Sequence, residues 1–250
     1  MPLYEAKMIH HYDTRWATYE VDDSIRLMTE AEKVQRLLPT PRYWVREREI
    51  DRKLEGTWDN QWLFGYRGIC RATDERTVIA ALLPRTGAGN SIVMMLPKDA
   101  RSRHLLAASM SSFVFDFAAR QKVGGINLNF FIMQQFPVPS PGIAVPGLAL
   151  GKSFTSWVAT AVDRLGAWTG TGNERALLRA ELDALMFHVY GISRDDADYI
   201  METFPIVKRK DEEHYGEYRT KRLILEAYDA MAAAIITGEV YRSPFEEVNK

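Results

Sequence analysis

Apolar positions repeat with two different periods in the two halves of the chain. In the first half, residues 62–71 (WLFGYRGICR), 76–84 (RTVIAALLP) and 89–96 (GNSIVMMLP) are apolar runs of strand length. Asp74 and Glu75 punctuate one junction and Gly87 and Gly89 the next, so the runs read as a β-meander. Residues 99–109 favour helix. The stretch SSFVFDFAARQ fits two periods: Phe113, Val114, Phe117 and Ala118 suit a helix, while Phe113, Phe115 and Phe117 suit a strand, and the helix is preferred. Ile126, Leu128, Phe130 and Ile132 then alternate with Asn127 and Asn129, which predicts a strand with one buried face. Pro137, Pro139 and Pro141 donate no ladder hydrogen bonds and so stop it.

From about 137 to 151 lie four prolines and three glycines, the composition of a linker. Beyond it the period is helical. Leu178, Leu182, Leu185 and Val189 share a face that Gly191 terminates, and Ser193 caps a second helix carrying Ala197, Ile200, Met201 and Phe204 up to Pro205. A last helix carries Leu223, Ile224, Ala227, Tyr228, Met231 and Ile235 to Gly238. The pattern therefore predicts an α+β fold: an α+β domain over 1–141, a linker over 142–172 and a helical C-terminal unit over 173–250. No internal repeat is evident.

At 250 residues, 46% hydrophobic and 26% charged, the composition is that of a globular protein. No run approaches the roughly 18–20 apolar residues of a membrane helix, and the first residues lack a secretion signal, so no membrane partner is expected and the predicted location is the cytoplasm. A single cysteine, Cys70, excludes an internal disulfide and fits a reducing compartment. The formal charge of −1 does not announce nucleic-acid binding, but only charges within about 10 Å of a phosphate matter, so local basic patches decide.

Several motifs carry little. WTGTGNE (168–174) resembles a Gly-rich cofactor loop, but no convincing buried strand precedes it, and RTGAGN (85–90) reads as a hairpin turn. Glu5 and Lys7 in YEAK form a nuclease-like acid-x-Lys fragment without the preceding Pro-Asp, which leaves Lys7 as a phosphate or salt-bridge partner. Adjacent His10 and His11 in HHYD point to opposite sides of an extended strand and converge poorly on a metal, so a polar surface is the preferred reading. No G-x-S-x-G occurs. RYWVREREIDRK and VKRKDEE carry their own counter-charges. ARQKVGG differs: Arg120 and Lys122 are uncompensated beside Gly124 and Gly125, which permit close approach of a phosphate. RATDERT sets Arg71, Thr73, Arg76 and Thr77, donors suited to phosphates and base edges, at a tight turn.

Four segments carry a family resemblance: PLYEAKMIHHYDTRWATY (2–19), WLFGYRGICRATDERTVIAALLPRTGAGNS (62–91), FVFDFAARQKVGGINLNFFIMQQFPVPSP (113–141) and YGISRDDADYIMETFPIVKRKDEEHYGEYRTKRLILEAYDAM (190–231). Together they resemble the C-terminal part of type IIG and related restriction-modification enzymes, in which one chain joins an adenine-N6 DNA methyltransferase to its target recognition domain. The third segment also resembles the closing part of a recognition domain in type I specificity subunits. The family's methyl-transfer tetrapeptide, Asn-Pro-Pro-Tyr or Phe, does not occur here. The resemblance thus implies a non-catalytic, sequence-reading portion, with no cofactor or metal of its own and S-adenosylmethionine bound by a catalytic domain elsewhere. Its implied partners are double-stranded DNA and a methyltransferase domain of the same parent chain or a separate subunit. Arg71, Thr73, Arg76, Thr77, Arg120 and Lys122, with Gly124 and Gly125, are the expected DNA contacts, and Lys7 and Arg15 the secondary ones. Two other classes stay open: a scaffold held to a partner by its C-terminal helices, and a stand-alone metal-dependent nuclease.

Overall fold

The computed structural model describes residues 1–168 and 171–244, so two residues of WTGTGNE and the end of the expected C-terminal unit lie outside the described residues. In chain order the strands are β1 (Pro2–Tyr4), β2 (Ala17–Tyr19), β3 (Ile25–Leu27), β4 (Tyr43–Trp44), β5 (Trp62–Arg67), β6 (Ala80–Pro84), β7 (Gly87–Ala88) and β8 (Ile92–Met95). Helices α1 (Glu30–Val34) and α2 (Glu47–Leu54) fall among them. After β8 come α3 (Arg103–Ser111), α4 (Phe113–Arg120), α5 (Phe130–Met133), α6 (Phe154–Ala167), α7 (Gly172–Val189), α8 (Arg194–Glu202), α9 (Pro205–Tyr215) and α10 (Arg219–Thr237). The fold is α+β. No described helix is long and apolar enough to cross a membrane.

The three apolar runs do pair, but not as a meander. β5 is central, with β6 and β8 antiparallel on its two sides. The order differs because RTGAGN is not a hairpin turn: Gly87 and Ala88 pair in parallel with Leu3 and Tyr4, carrying the chain to the far edge of β5. A Cβ on Gly87 would lie 2.6 Å from Val45 Cγ1, so the missing side chain makes this approach possible.

Strand alternation divides the interior in two. From β5 and β6, Phe64, Tyr66 and Ala80 face the large helical core, while Leu63, Ala81 and Leu83 face a smaller one built with Tyr4, Met8, Ile9 and Trp58. The sheet is therefore buried on both sides. The large core runs from Phe64 to Tyr241, without a break where the linker is predicted.

The stretch 142–172, read as a linker from its composition, holds both turns and a helix. Residues 137–152 hold turns and one isolated bridge, Ala149 with Val240, but α6 follows, and its Trp157, Val158, Ala161, Val162 and Leu165 enter the large core. Ser153 opens α6, its hydroxyl accepting the Ser156 N–H at 3.2 Å. α7 is enclosed, since residues 180–187 are all buried, and α10 runs along it. Ser193 caps α8 and Gly238 ends α10 in the left-handed conformation, as the sequence predicts.

The alternation over 126–132 also misleads. Only an isolated bridge, Ile69 with Asn127, forms there, and α5 begins at Phe130. Leu128 is buried before α5 and Met133 at its last residue, while Phe130 and Phe131 are both exposed, which breaks the alternation that a continued strand requires.

Candidate functional site

Two loops, 68–79 after β5 and 121–129 after α4, are laced together. The Leu128 N–H donates to Gly68 O at 2.8 Å and the Cys70 N–H to Ile126 O at 3.0 Å. Asp74 closes the first loop on itself, its Oδ2 accepting the Arg71 N–H at 2.8 Å. The outer edge of the pair is exposed at Arg71, Thr73, Lys122, Gly124, Gly125, Asn127 and Asn129. Neither Arg71 nor Lys122 has a carboxylate within ion-pair distance among the described residues. Apolar side chains stand beside them, Ile69 being 62%, Ile126 56% and Phe130 63% exposed. A Cβ on Gly124 or Gly125 would meet nothing within 4 Å, and neither has positive φ, so internal packing and backbone strain do not demand glycine here.

Lys7 is exposed on the turn Ala6–Met8, whose Ala6 N–H donates to Ser91 Oγ at 3.0 Å. Ser91 O accepts the Gly68 N–H at 2.9 Å, which ties that turn to the base of the first loop.

The remaining predicted contacts are corrected, because they are consumed by the interior. Asp116 on α4 is fully buried and gathers them. Arg76 Nε donates to its Oδ2 at 2.6 Å, and the Thr77 N–H to its Oδ1 at 3.0 Å. Arg76 also donates to Ser111 O at 2.7 Å and lies 4.0 Å over the Phe113 ring. Arg120 donates to Asp74 O, Glu75 O and Thr203 O and stacks 3.9 Å over Phe204. These groups hold the first loop against α4 and α8, and both arginine side chains are only 10% exposed, so they do not face an external phosphate. Arg15 is likewise buried, with Nη1 donating to Lys33 O at 2.8 Å. Sequence reasoning missed Asp116; its signal is a lone acid in the apolar FVFDFAAR, one helical turn before Arg120.

HHYD is not a polar surface. His11 is buried, and Asp13 and Lys33 form an ion pair of 2.7 Å with each side chain only 4% exposed. His10 packs on Trp16 at 4.2 Å. Burial, then the nearby arginines, push both imidazoles well below the usual histidine range, so they are neutral. Among the described residues no group of three or more His, Cys, Asp or Glu is placed to hold a metal ion.

Asp183 on α7 lies behind this cluster, its Oδ1 accepting the Phe113 N–H at 2.8 Å. Burial pushes its carboxyl up to about 6. The folded state then binds the Asp183 proton more tightly than the unfolded chain, whose value is about 3.9, so this group's stabilising effect is full below pH ~4 and is lost as pH rises through ~6. Asp183→Asn keeps the acceptor and removes the charge. In urea melts it raises the unfolding free energy by about 2 kcal/mol at pH 7 and leaves it unchanged at pH 4. The histidines act in the opposite direction, lowering stability as pH falls below ~6.5, but equally in both proteins.

No protein-family model, curated protein or solved structure matches this chain.

Proposed function

We propose that the chain is a DNA-recognition module that reads duplex DNA through the paired loops 68–74 and 121–129. The observation that carries this is the joint exposure of Arg71, Thr73, Lys122 and Asn127 on one hydrogen-bonded edge whose two glycines are left open to the outside. Arg71 and Lys122 are suited to phosphates, which fix register. An Asn amide offers the donor and acceptor pair that matches adenine N6 and N7 in the major groove. Ile126 and Phe130 give apolar contact for a thymine methyl or a base step. Gly124 and Gly125 let the backbone come close to the duplex. On this reading, adenine-N6 methyl transfer, with its S-adenosylmethionine, belongs to a methyltransferase domain or subunit that this module directs, in the cytoplasm.

Fluorescence anisotropy with a mixed-sequence duplex of about 30 base pairs tests it. Arg71→Ala/Lys122→Ala weakens binding by roughly 100-fold at low salt, each lost charged contact removing about 1.5 kcal/mol. Gly125→Val weakens it as well, while its unfolding free energy stays within about 0.5 kcal/mol of wild type because the site is open. Unchanged affinity in both variants would leave the exposed Ile69, Ile126 and Phe130 as a protein-docking edge instead.

A further inference from the structure

The segment His10–Trp16, the start of α7 and the corner between α9 and α10 enclose a cleft of about 700 Å³. It meets a second chamber of about 210 Å³ at His11 and Arg179. The larger volume is that of a small-molecule site.

Both ring nitrogens of His11, itself 2% exposed, are buried with no hydrogen-bond partner among the described residues, as are Nδ1 of His10 and Nε1 of Trp168. All three side chains line the cleft. Buried polar atoms without partners are rare, and an occupant that bonds them removes their penalty. Arg175 and Arg179, one turn apart on α7, line the same space. Neither has a carboxylate within ion-pair distance among the described residues; their hydrogen bonds go to carbonyls, Leu165 O at 2.7 Å and His11 O at 3.4 Å. Asp13, which also lines the cleft, is already bonded to Lys33 and to the Arg15 N–H. Glu30 is the other carboxylate in the lining, against Arg175, Arg179 and Arg219, so the cleft is rich in donors and carries surplus positive charge. Burial depresses both guanidinium pKa values, with repulsion from Arg179 adding at Arg175 and from Arg76 at Arg179.

We propose that this cleft binds a nucleoside phosphate, with the phosphate between Arg175 and Arg179 and the ring beside Trp16 and Tyr215. Two guanidiniums and an indole N–H supply more donors than one carboxylate can accept, whereas a phosphate presents three acceptor oxygens. Neutral His11 has one nitrogen that donates and one that must accept. A ribose hydroxyl satisfies the accepting nitrogen; a phosphate dianion, having no proton to donate, does not. The lining of the 700 Å³ cleft includes no residue of the paired loops, so the proposal does not depend on DNA binding.

Isothermal titration of the whole chain with AMP tests the assignment, with adenosine and inorganic phosphate as comparison arms. Saturable 1:1 binding of AMP is expected, more than tenfold tighter than either arm. Arg179→Gln weakens it at least tenfold, and Tyr215→Ala, at the half-exposed rim, about fivefold. Arg71→Ala/Lys122→Ala leaves it unchanged, which separates this site's failure from that of the DNA proposal. Absence of saturable heat up to about 5 mM AMP, weaker than any specific site of this size, overturns the proposal. Equal affinity in the Tyr215 variant and in a folded Arg179 variant also overturns it.

Discussion

Asp116→Ala lowers the unfolding free energy by about 3–5 kcal/mol, the loss expected when one partner of a buried ion pair is removed and the other stays. The carboxylate is fully buried and accepts from Arg76 Nε and the Thr77 N–H, with Arg120 Nε 3.6 Å away. Alanine at this position strands a guanidinium and a backbone N–H in the interior. For a chain of 250 residues this corresponds to a fall of roughly 10 °C in Tm. Urea unfolding followed by circular dichroism and tryptophan fluorescence measures it. A loss below about 1 kcal/mol would mean that Asp116 does not organise the first loop. The same geometry reverses the natural expectation for two arginines: Arg76→Ala and Arg120→Ala reduce stability, and they affect DNA only through the loop they support.

Lys33→Ala is nearly as damaging, at about 3–4 kcal/mol. Lys33 Nζ lies 2.7 Å from Asp13 Oδ2 and 4.4 Å from the Trp168 ring centroid, so its removal leaves a buried carboxylate with the Arg15 N–H as its remaining hydrogen bond. Replacing both partners by apolar residues of similar size removes the stranded charge. Asp13→Leu/Lys33→Met is therefore more stable than either single variant, and a double-mutant cycle returns a coupling of about 2 kcal/mol or more. Additive single effects would show that the pair is not buried as a unit.

The sequence revealed the elements whose cause is local and hid those whose cause is remote. The helical face Leu178–Leu182–Leu185, the Ser193 cap and the Gly238 stop depend on neighbours within a turn or two, and each is where the pattern puts it. The apolar runs of β5, β6 and β8 are equally plain, but their order is set by the parallel pairing of Gly87 and Ala88 with β1, more than 80 residues earlier in the chain. Helix α6 was masked by the prolines and glycines before it, although Trp157, Ala161 and Leu165 carry a clear four-residue spacing. At the candidate site, charge pattern alone could not separate Arg71 and Lys122, which remain exposed, from Arg76 and Arg120, which bond to partners as much as 83 residues distant. The HHYD histidines were hidden by the same limit, because burial is a property of what packs over a segment.

The central claim is that the paired loops engage phosphates on duplex DNA, and the salt dependence of binding tests it most directly. The equilibrium constant for a mixed-sequence duplex is measured between about 50 and 200 mM salt, for wild type and for Arg71→Ala/Lys122→Ala. Each phosphate contact adds about −0.9 to the slope of log K against log salt, so the double variant is predicted to have a slope shallower by about 2. Equal slopes for the two proteins, or no measurable duplex binding at the lowest salt, would contradict the account.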